Sequence, residues 1–325
     1  MSERPPVTIA IPLLNEARLL SGLLETLRAQ TWPREAMQVI FVDGGSEDGT
    51  RAILRSALTD FPNALLLDNP HRLAAAGLNR ALARAQGAFF LRLDARSRPA
   101  SDYVERCVAH LQEGAWAGVA GPQIAVGLSD GGRAIALAIN HPLGAGGPSY
   151  RRAWAPTESD TLYLGAYPTA KLREIGGWDA SFAANEDYEL NLRLREAGGR
   201  LLVAPDIRIE YVARDALRDL ARQYARYGAW RVVTWRKHPR AMRPRHLAPA
   251  LWSAALVMSL LAWPFSPWPL AVVLLPYLLG VTLAALHLSA RHGWRLFPRV
   301  WTAFPAMHLA WAAGFWRRAL LLTDH

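Results

Sequence analysis

The chain is poor in cysteine and lysine, and one long stretch has no charge at all. Cys107 is the only cysteine, which excludes an intramolecular disulfide and a metal cluster built on cysteines. No Asp, Glu, Lys or Arg occurs from Leu247 to Leu288, and this composition does not suit a surface exposed to water. Met1 to Pro6 lacks the apolar stretch of a signal peptide, so we expect the globular part to stay in the cytoplasm.

Positive charge exceeds negative charge, giving a formal net charge of +10. Much of the excess flanks the apolar C-terminal segments, where it would meet anionic lipid headgroups. The remainder of the chain contains no basic helix and no aromatic–basic module, so we expect membrane lipids and no nucleic acid among the partners. The flanking arginines and lysine are Arg231, Arg236, Lys237, Arg240, Arg243, Arg245, Arg291, Arg295, Arg299, Arg317 and Arg318.

Strand-like and helix-like patterns alternate through the first hundred residues. Such alternation predicts an α/β fold with a parallel sheet and right-handed crossovers, and we place this domain at residues 1–212. Further along we expect a helix at 187–196, and a loop with one short helix at 127–147. The predicted strands cover residues 7–13, 39–42, 65–67, 89–93, 118–124 and 201–204.

The C-terminal region, residues 247–325, contains two apolar segments long enough to span a bilayer, 247–265 and 268–288. Their link is short and uncharged while their outer flanks are rich in arginine, which predicts a hairpin with both ends in the cytoplasm. A third apolar segment, 300–316, is followed by two arginines. We expect it to be a re-entrant or interfacial helix, with a third span as the alternative. Residues 213–246 are predicted to form an amphipathic interfacial helix and a basic linker.

Polar residues follow several of the predicted strands and open later helices. In an open α/β sheet, ligands bind at the carboxyl ends of the strands, so these residues are candidates for a binding site. Gln223, Arg226 and Tyr227 are spaced at i, i+3 and i+4 and therefore share one helix face. The other motifs are Pro12-Leu13-Leu14-Asn15-Glu16, Asp43-Gly44-Gly45-Ser46, Asp94-Ala95-Arg96, Gly176-Gly177-Trp178-Asp179 and Glu186-Asp187.

Taken in order, these motifs resemble those of the family 2 inverting glycosyltransferases, and most of all the membrane-attached branch that builds bacterial exopolysaccharide on a lipid carrier. The resemblance implies a Rossmann-like, nucleotide-sugar-binding domain of the GT-A type with C-terminal membrane helices. It also implies a UDP-sugar donor and a polyprenyl-diphosphate-linked saccharide as acceptor. The expected location is the inner membrane, with the catalytic domain facing the cytoplasm.

The first two motifs are expected to bind the nucleotide. By resemblance, Pro12, Asn15 and Glu16 lie beside the nucleotide, and Asp43 with Ser46 recognises the base. Asn15 could instead, or in addition, cap the following helix. Asp43 has an alternative role as a turn aspartate, since Asp and Ser favour positions that cap helices.

The third motif departs from the family pattern. Asp94 occupies the first position of the family's Asp-x-Asp motif, where it would contact the ribose and hold a divalent metal, Mg²⁺ or Mn²⁺. The third position is Arg96, which cannot be a metal ligand because it offers no hard oxygen. We expect Asp94 to hold the metal with water and the diphosphate; alternatively, Arg96 itself neutralises the phosphates.

The remaining motifs carry the expected catalytic and acceptor roles. By resemblance, Asp187 of the pair Glu186-Asp187 is the general base that deprotonates the acceptor hydroxyl. Two acids at a helix N-terminus also have a plain explanation, because they complement the helix dipole. Trp178 would stack on a sugar, or else be a core aromatic. Arg226 would meet the leaving diphosphate, with Gln223 and Tyr227 beside it, or be a solvated arginine on an interfacial helix.

Other functions are compatible with parts of the pattern. A processive polysaccharide synthase would share these motifs, but it usually needs more spanning helices. A degenerate, nucleotide-binding scaffold of a membrane complex is suggested only by Arg96. Nucleic-acid binding near a membrane would follow from charge alone, and would show strongly salt-dependent affinity.

Overall fold

A computed structural model of the protein describes residues 4–145 and 153–321, and the elements named here lie within those ranges. The strands are β1 (Val7–Leu13), β2 (Met37–Asp43), β3 (Leu65–Asp68), β4 (Phe89–Arg92), β5 (Ser97–Pro99), β6 (Trp116–Ala120), β7 (Gln123–Val126), β8 (Thr157–Glu158), β9 (Ala166–Pro168), β10 (Arg200–Val203) and β11 (Ile209–Val212). The helices are α1 (Ala17–Arg28), α2 (Thr50–Ala57), α3 (Ala74–Arg84), α4 (Tyr103–Glu113), α5 (Asp130–Asn140), α6 (Pro142–Ala145), α7 (Thr169–Glu174), α8 (Glu186–Glu196), α9 (Leu217–Lys237), α10 (Pro244–Ala262), α11 (Trp268–His292) and α12 (Phe297–Leu320).

The main sheet has eight strands in the order β3-β2-β1-β4-β9-β6-β10-β8. Strands β3, β2, β1 and β4 are parallel neighbours, as the alternating pattern predicts. Strand β9 pairs antiparallel with β4 and β6, and β8 pairs antiparallel with β10, so the whole sheet is mixed. The order 3-2-1-4 is that of a Rossmann-like sheet, whose ligands bind at the carboxyl edge.

Alternate residues of the central strands enter two separate apolar layers. Ile9 and Phe41 pack in one cluster with leucines of α1, whereas Ala10 and Ile40 pack in the other with α3 and Trp178. Since both faces are covered, β1 and β2 are buried along their length and read as continuous apolar runs. Each fully buried leucine contributes roughly 1.5–3 kcal/mol of transfer free energy, so this double layer holds the strand ends firmly.

The chain divides into two compact units. The first unit contains described residues up to Ile124 and from 153 to Tyr211, and it holds the main sheet. The second unit contains described residues from Ala125 to 145 and from Val212 to 321, and it is mostly helical. A separate three-stranded sheet has the order β5-β11-β7, with β11 antiparallel to β5.

Two predictions about local structure were wrong. The strand expected at 118–124 is divided into β6, which ends at Ala120, and β7, which begins at Gln123. Between them only glycine fits at position 121, because a Cβ there would lie 1.6 Å from the carbonyl oxygen of Ile207. The stretch at 127–147, predicted to be a loop with one short helix, contains the eleven-residue helix α5 followed by α6; residues 146 and 147 lie outside the described ranges. Ser129 caps α5 by accepting a hydrogen bond from the backbone N–H of Gly132.

In the second unit, α9 and α12 cross closely. A Cβ on Gly228 would lie 2.0 Å from the carbonyl oxygen of Trp311, and a Cβ on Gly314 would lie 1.9 Å from that of Ala225. Polar side chains join the other helices of this unit. The indole N–H of Trp316 donates to Ser253, and Tyr277 hydrogen-bonds to His308 at 2.9 Å.

One helix among the described residues, Trp268–His292, is long and apolar enough to cross a membrane. The segment predicted at 247–265 lies mostly in α10, whose apolar part, His246–Ala262, is shorter than the length needed for a span of this kind. Large apolar side chains of α11 are exposed, with Val272 and Leu275 more than 60% accessible.

Candidate active site

The carboxyl ends of β1, β2 and β4 meet at one edge of the sheet. Backbone hydrogen bonds tie these ends together: Gly44 N–H donates to the carbonyl of Leu13 at 2.8 Å, and Leu93 N–H donates to that of Ala10 at 3.0 Å. Pro12, in β1, is half-buried and stands opposite Val42 in the register. The first three motifs therefore begin from neighbouring, well-anchored strands.

The loops after β1 and β2 are joined through Asn15. Its backbone N–H donates to Oγ of Ser46 at 2.8 Å, and its side-chain Oδ1 accepts from the N–H of Glu47 at 2.8 Å. Asn15 has a positive φ of 55°, a conformation that asparagine tolerates better than most residues. Glu16, rather than Asn15, occupies the N-cap position of α1. The predicted residues of these two loops thus lie together, with Asn15 as the link.

Asp43 is fully buried, which bears on its expected role with the base. Its carboxylate accepts from the N–H groups of Gly45 and Ser46, both at 3.1 Å, and from Arg51 at 3.0 Å. These are the contacts of a turn aspartate. The expectation of a carboxylate open to a base is not supported here, because the structure leaves Asp43 no exposed surface. Arg51 also pairs with Asp68, the last residue of β3, and this partner lowers the pKa of Asp68.

The centre of the site is Arg92, the last residue of β4, which sequence reasoning missed. Its guanidinium is buried and faces three carboxylates. Nη2 lies 2.9 Å from Glu186 and 3.3 Å from Asp94, and Nη1 forms a short ion pair with Asp187. Because the attraction of the carboxylates outweighs the opposing effect of burial, the pKa of Arg92 lies well above its ordinary value. One cation therefore brings together the Asp94 motif and the Glu186-Asp187 motif.

Asp187 has an electrostatic environment suited to a base. Burial raises its pKa from 3.8 to about 6, and the carboxylates of Glu186 and Asp94 add to that rise. Arg92 and a hydrogen bond from Trp178 act in the opposite direction, because they stabilise the ionised form. With 18% of its side chain exposed, Asp187 is reachable from solvent. A carboxylate with this pKa is ionised at neutral pH and still basic enough to accept a proton.

Trp178 is a core aromatic, which decides between its two expected roles. The side chain is 2% exposed and packs against Phe90 and Tyr167, with ring centroids 5.6 and 6.3 Å away. A ring covered in this way has no free face for stacking on a sugar, so that expectation was wrong. Its indole Nε1 instead donates to Oδ1 of Asp187 at 3.1 Å. Asn79 holds the turn by bonding both the N–H and the carbonyl of Trp178.

Asp94 is the residue that the motif predicts as a ligand of a divalent metal. Oδ1 of Asp94 accepts from Arg92, and 32% of the side chain is exposed. The described residues contain no group of three or more His, Cys, Asp or Glu side chains that could hold a metal. Mg²⁺ at transferase sites is commonly held by one or two carboxylates together with substrate phosphates and water, so Asp94 alone fits such a site. Arg96 lies 3.8 Å from Glu16 and adds no ligand.

Gln223, Arg226 and Tyr227 lie on α9 in the second unit. Nε2 of Gln223 donates to the hydroxyl of Tyr227 at 2.8 Å, so these two side chains share a face as predicted. Arg226 is exposed, and Tyr227 also contacts the ring of Tyr224, with centroids 5.7 Å apart.

Two functional candidates could have been found from sequence by asking where charge interrupts an apolar strand. Arg92 follows Phe89-Phe90-Leu91, and a cation at the end of such a strand needs carboxylate partners. Asp68 ends β3 just as Asp43 ends β2, and the two residues stand opposite each other in the register. In both cases the signal was a charged residue at a strand end. The same kind of signal identified Asp43 and Asp94.

The chain has a Rossmann-like sheet with an acidic cluster at its carboxyl edge, an arrangement that fits a glycosyltransferase of the GT-A fold, and comparison with known proteins shows this class. Residues 8–161 match the model of Glycosyl transferase family 2, and residues 165–313 match that of Glycosyl transferase family group 2. The chain is 37% identical to the succinoglycan biosynthesis protein ExoA of Rhizobium meliloti, over 96% of this chain and 94% of that protein. The chain belongs to glycosyltransferase family 2.

Other relatives and solved structures extend the comparison. A dolichyl N-acetyl-α-D-glucosaminyl phosphate 3-β-D-2,3-diacetamido-2,3-dideoxy-β-D-glucuronosyltransferase of Methanococcus voltae is 27% identical, over 71% of this chain and 74% of its own length. The mannosyltransferase PcManGT of Pyrobaculum calidifontis, solved with GDP-Man and Mn²⁺, has a TM-score of 0.64 at 22% identity, covering 99% of this chain and 89% of that one. S. aureus TarS 1-349, solved with UDP-GlcNAc, has a TM-score of 0.55 at 14% identity, covering 94% and 92%.

Proposed function

We propose that this glycosyltransferase moves a sugar from a UDP-sugar to a polyprenyl-diphosphate-linked saccharide, with inversion at the anomeric carbon, in bacterial exopolysaccharide synthesis. The observation that carries the proposal is the placement of Asp187. It is a reachable carboxylate whose pKa is raised to about 6, joined through Arg92 to the Asp94 turn. The relationship to a succinoglycan biosynthesis protein supports the pathway class, and the dolichyl-linked relative supports a lipid-linked acceptor.

In this mechanism the oxygen of the acceptor hydroxyl attacks C1 of the donor sugar, and Asp187 takes the proton of that hydroxyl. The C1–oxygen bond to the diphosphate breaks on the opposite face, which inverts the configuration. Asp94 contacts the ribose and supplies the protein ligand of a divalent metal, Mg²⁺ or Mn²⁺. Bound there, such an ion would supply positive charge to stabilise the leaving diphosphate. The motif on α9 assigns Arg226 to the leaving diphosphate. It places Gln223 and Tyr227 beside Arg226, toward the acceptor.

The lipid-linked acceptor fits the composition of α10 and α11. Exposed apolar side chains along these helices are costly in water and favourable in a bilayer. We therefore propose that this region binds the inner membrane through a hairpin, in which 268–288 crosses the bilayer and the shorter apolar segment within 247–265 forms the other arm, with the catalytic unit on the cytoplasmic side. The location brings the enzyme to the surface where a polyprenyl-linked saccharide is held.

The first experiment is calorimetric titration of detergent-purified protein with UDP and, separately, GDP, in the presence and absence of Mn²⁺. We expect UDP to bind in preference to GDP, and Mn²⁺ to strengthen binding in the wild type but not in Asp94→Ala. Preferential binding of GDP would contradict the UDP-sugar assignment. Binding of UDP that is independent of Mn²⁺ would contradict the proposal that Asp94 holds a divalent metal. Neutralising the phosphates would then be assigned to Arg96 or Arg226.

The second experiment measures transfer to a lipid-linked acceptor. Asp187→Asn is expected to lower kcat by roughly 10²–10⁴-fold, the usual contribution of a general base, with UDP affinity nearly unchanged. Glu196→Gln is the matched control, because it removes one carboxylate from the exposed end of the same helix. Turnover of Asp187→Asn at the wild-type rate would exclude Asp187 as the base, and products longer than one added sugar would point to a processive synthase.

A further inference from the structure

Arg92 is the only guanidinium in the described first unit that faces three carboxylates at once. It is 5% exposed, at the end of a strand whose other residues, Phe89, Phe90 and Leu91, are apolar. Its Nη1 pairs with Asp187, its Nη2 with Glu186 and Asp94, and its Nε also reaches Oδ1 of Asp94 at 3.3 Å. Arg92 is the one charged residue of β4, so a single guanidinium joins these three acidic side chains.

Stability alone does not explain such a residue. Replacing a buried ion pair by apolar groups of similar size is often neutral or stabilising, whereas removing one partner leaves an uncompensated charge. The planar guanidinium differs from an apolar substitute, and from lysine, because its donors lie in a fixed geometry. It can therefore set the orientation of several carboxylates relative to the strand that carries it.

The contacts of Asp187 show what that orientation achieves. Both hydrogen bonds that the described residues give to its carboxylate, from Arg92 and from Trp178, end on Oδ1. One oxygen is therefore fixed by two donors on different elements, β4 and the turn before α8. Oδ2 is left as the atom that can accept a proton.

We propose that Arg92 is a positioning residue for sugar transfer, which fixes Asp187 through Oδ1 and ties it to the donor-side Asp94. This inference rests on the proposed function. Arg92 itself neither touches the reacting atoms nor moves a proton. It keeps the basic oxygen of Asp187 and the carboxylate of Asp94 in one fixed arrangement, so that the acceptor hydroxyl and the donor are aligned in the same complex.

The test is chemical rescue of Arg92→Ala by guanidinium. Because misplacement of a reacting group by about 1 Å costs about 10²-fold, we expect kcat to fall by roughly 100-fold, with a much smaller change in the KM for the donor. Low-millimolar guanidine hydrochloride should then restore a large part of kcat by entering the vacated site. Urea, which has a similar shape but no charge, should not restore kcat. Sodium chloride should not restore it either.

Arg193→Ala is the matched control. Arg193, which is half-buried, pairs with the buried Glu189 on α8 and also donates to the carbonyls of Ile175 and Gly177, outside the acidic cluster. Its loss should lower the yield of folded protein without a guanidinium-dependent recovery of kcat. Rescue of both variants alike, or of neither when both bind UDP normally, would overturn the positioning role.

Arg92→Lys keeps the charge and serves if the alanine variant fails to fold. It should have a lowered kcat with a nearly normal KM, because one ammonium cannot hold three carboxylates in the geometry of the fork. Wild-type kcat in Arg92→Lys would overturn the proposal. Failure of the wild type itself to transfer sugar, by contrast, would overturn the proposed function and this inference with it, so the two failures are distinguishable.

Discussion

The indole Nε1 of Trp178 donates a hydrogen bond of 3.1 Å to Oδ1 of Asp187. Trp178 belongs to a turn that begins with two glycines of positive φ, and Asp187 belongs to the first turn of α8. The ring is clamped by Phe90 and Tyr167, so it presents its N–H from a rigid position. The buried Trp178 thus donates a hydrogen bond to the carboxylate of Asp187 and does not stack on a sugar.

Trp178→Phe should keep the packing of the ring and remove the donor. Hydrogen bonds to charged groups contribute about 1.5–3 kcal/mol, so we expect kcat to fall by on the order of 10-fold, with the donor KM little changed. The loss of a donor to the ionised form should also raise the pKa of Asp187. The measurement is kcat and KM over a range of pH.

Trp32→Phe is the control for that substitution. Trp32 is also buried in the first unit, but its Nε1 makes no hydrogen bond to any described residue. It should therefore tolerate the change with normal kinetics. Equal effects of the two substitutions on kcat would mean that ring volume, and not the indole N–H, explains the loss in Trp178→Phe.

The pH dependence of transfer follows from the pKa of Asp187, which burial raises to about 6. The base must be ionised to accept a proton, so protonation removes activity. We expect kcat/KM to be flat near neutral pH and to fall roughly tenfold per pH unit below about pH 6. The charged and titratable groups that act on the pKa of Asp187, or are affected by its charge, are Arg92 on β4, Asp94 after β4, Glu186 on α8 and Tyr167 on β9. An acidic limb that persists unchanged in an Asp187 variant with residual activity would assign the titration to another group.

The same raised pKa affects stability. Between the ordinary value of 3.8 and about 6, the folded protein binds more protons at Asp187 than the unfolded chain does. The contribution of Asp187 to stability therefore falls as pH rises through this window, and the ionised group is a cost at neutral pH. Asp187→Asn removes that cost while Arg92 keeps two carboxylate partners.

We therefore expect Asp187→Asn to unfold at a higher temperature than the wild type near pH 7.5, with a gain on the order of 1 kcal/mol. The gain should shrink as the pH is lowered below about 6, because the wild-type carboxyl then becomes neutral as well. Thermal unfolding in detergent at several pH values measures this. A loss of stability at neutral pH would show that pairing with Arg92 outweighs burial.

The parallel half of the sheet was predictable because its strands carry local signals. Apolar runs at β1, β2 and β4 are bounded by polar strand ends, and their bounds agree with the predicted ones to within two residues. Strand β9 was missed. It has only three residues and its partners, Phe89–Leu91 and Val119, are distant in sequence, so no local pattern marks it. At 127–147 one short helix was predicted within a loop, and the extent of α5 was underestimated because glycines at its start obscured an apolar run from Ala134 to Ile139.

The candidate site was predictable only in part, for a similar reason. The sequence identified Asp94 and Asp187 as polar residues at a strand end and a helix start. It marked Arg92 only as a charge at the end of an apolar strand and gave no sign of its partner Asp187, 95 residues further along the chain, because an ion pair between distant elements leaves no periodic pattern. The burial of Asp43 and Trp178 likewise depends on neighbours from other elements, Arg51 for the first and Phe90 with Tyr167 for the second.

The crossing of α9 and α12 yields a last prediction, because it requires glycine on both helices. Gly314→Ala would place a Cβ 1.9 Å from the carbonyl oxygen of Ala225, one residue before Arg226, so the helices must separate. We expect a loss of about 1–3 kcal/mol, the usual cost of overpacking, measured by thermal unfolding in detergent. Gly280→Ala in α11 is the control, since its Cβ would meet no described atom within 4 Å. If both variants unfold at the wild-type temperature, α9 and α12 do not pack this closely. If only Gly314→Ala is destabilised and also transfers sugar more slowly, the position of α9 matters for transfer, as the motif on that helix predicts.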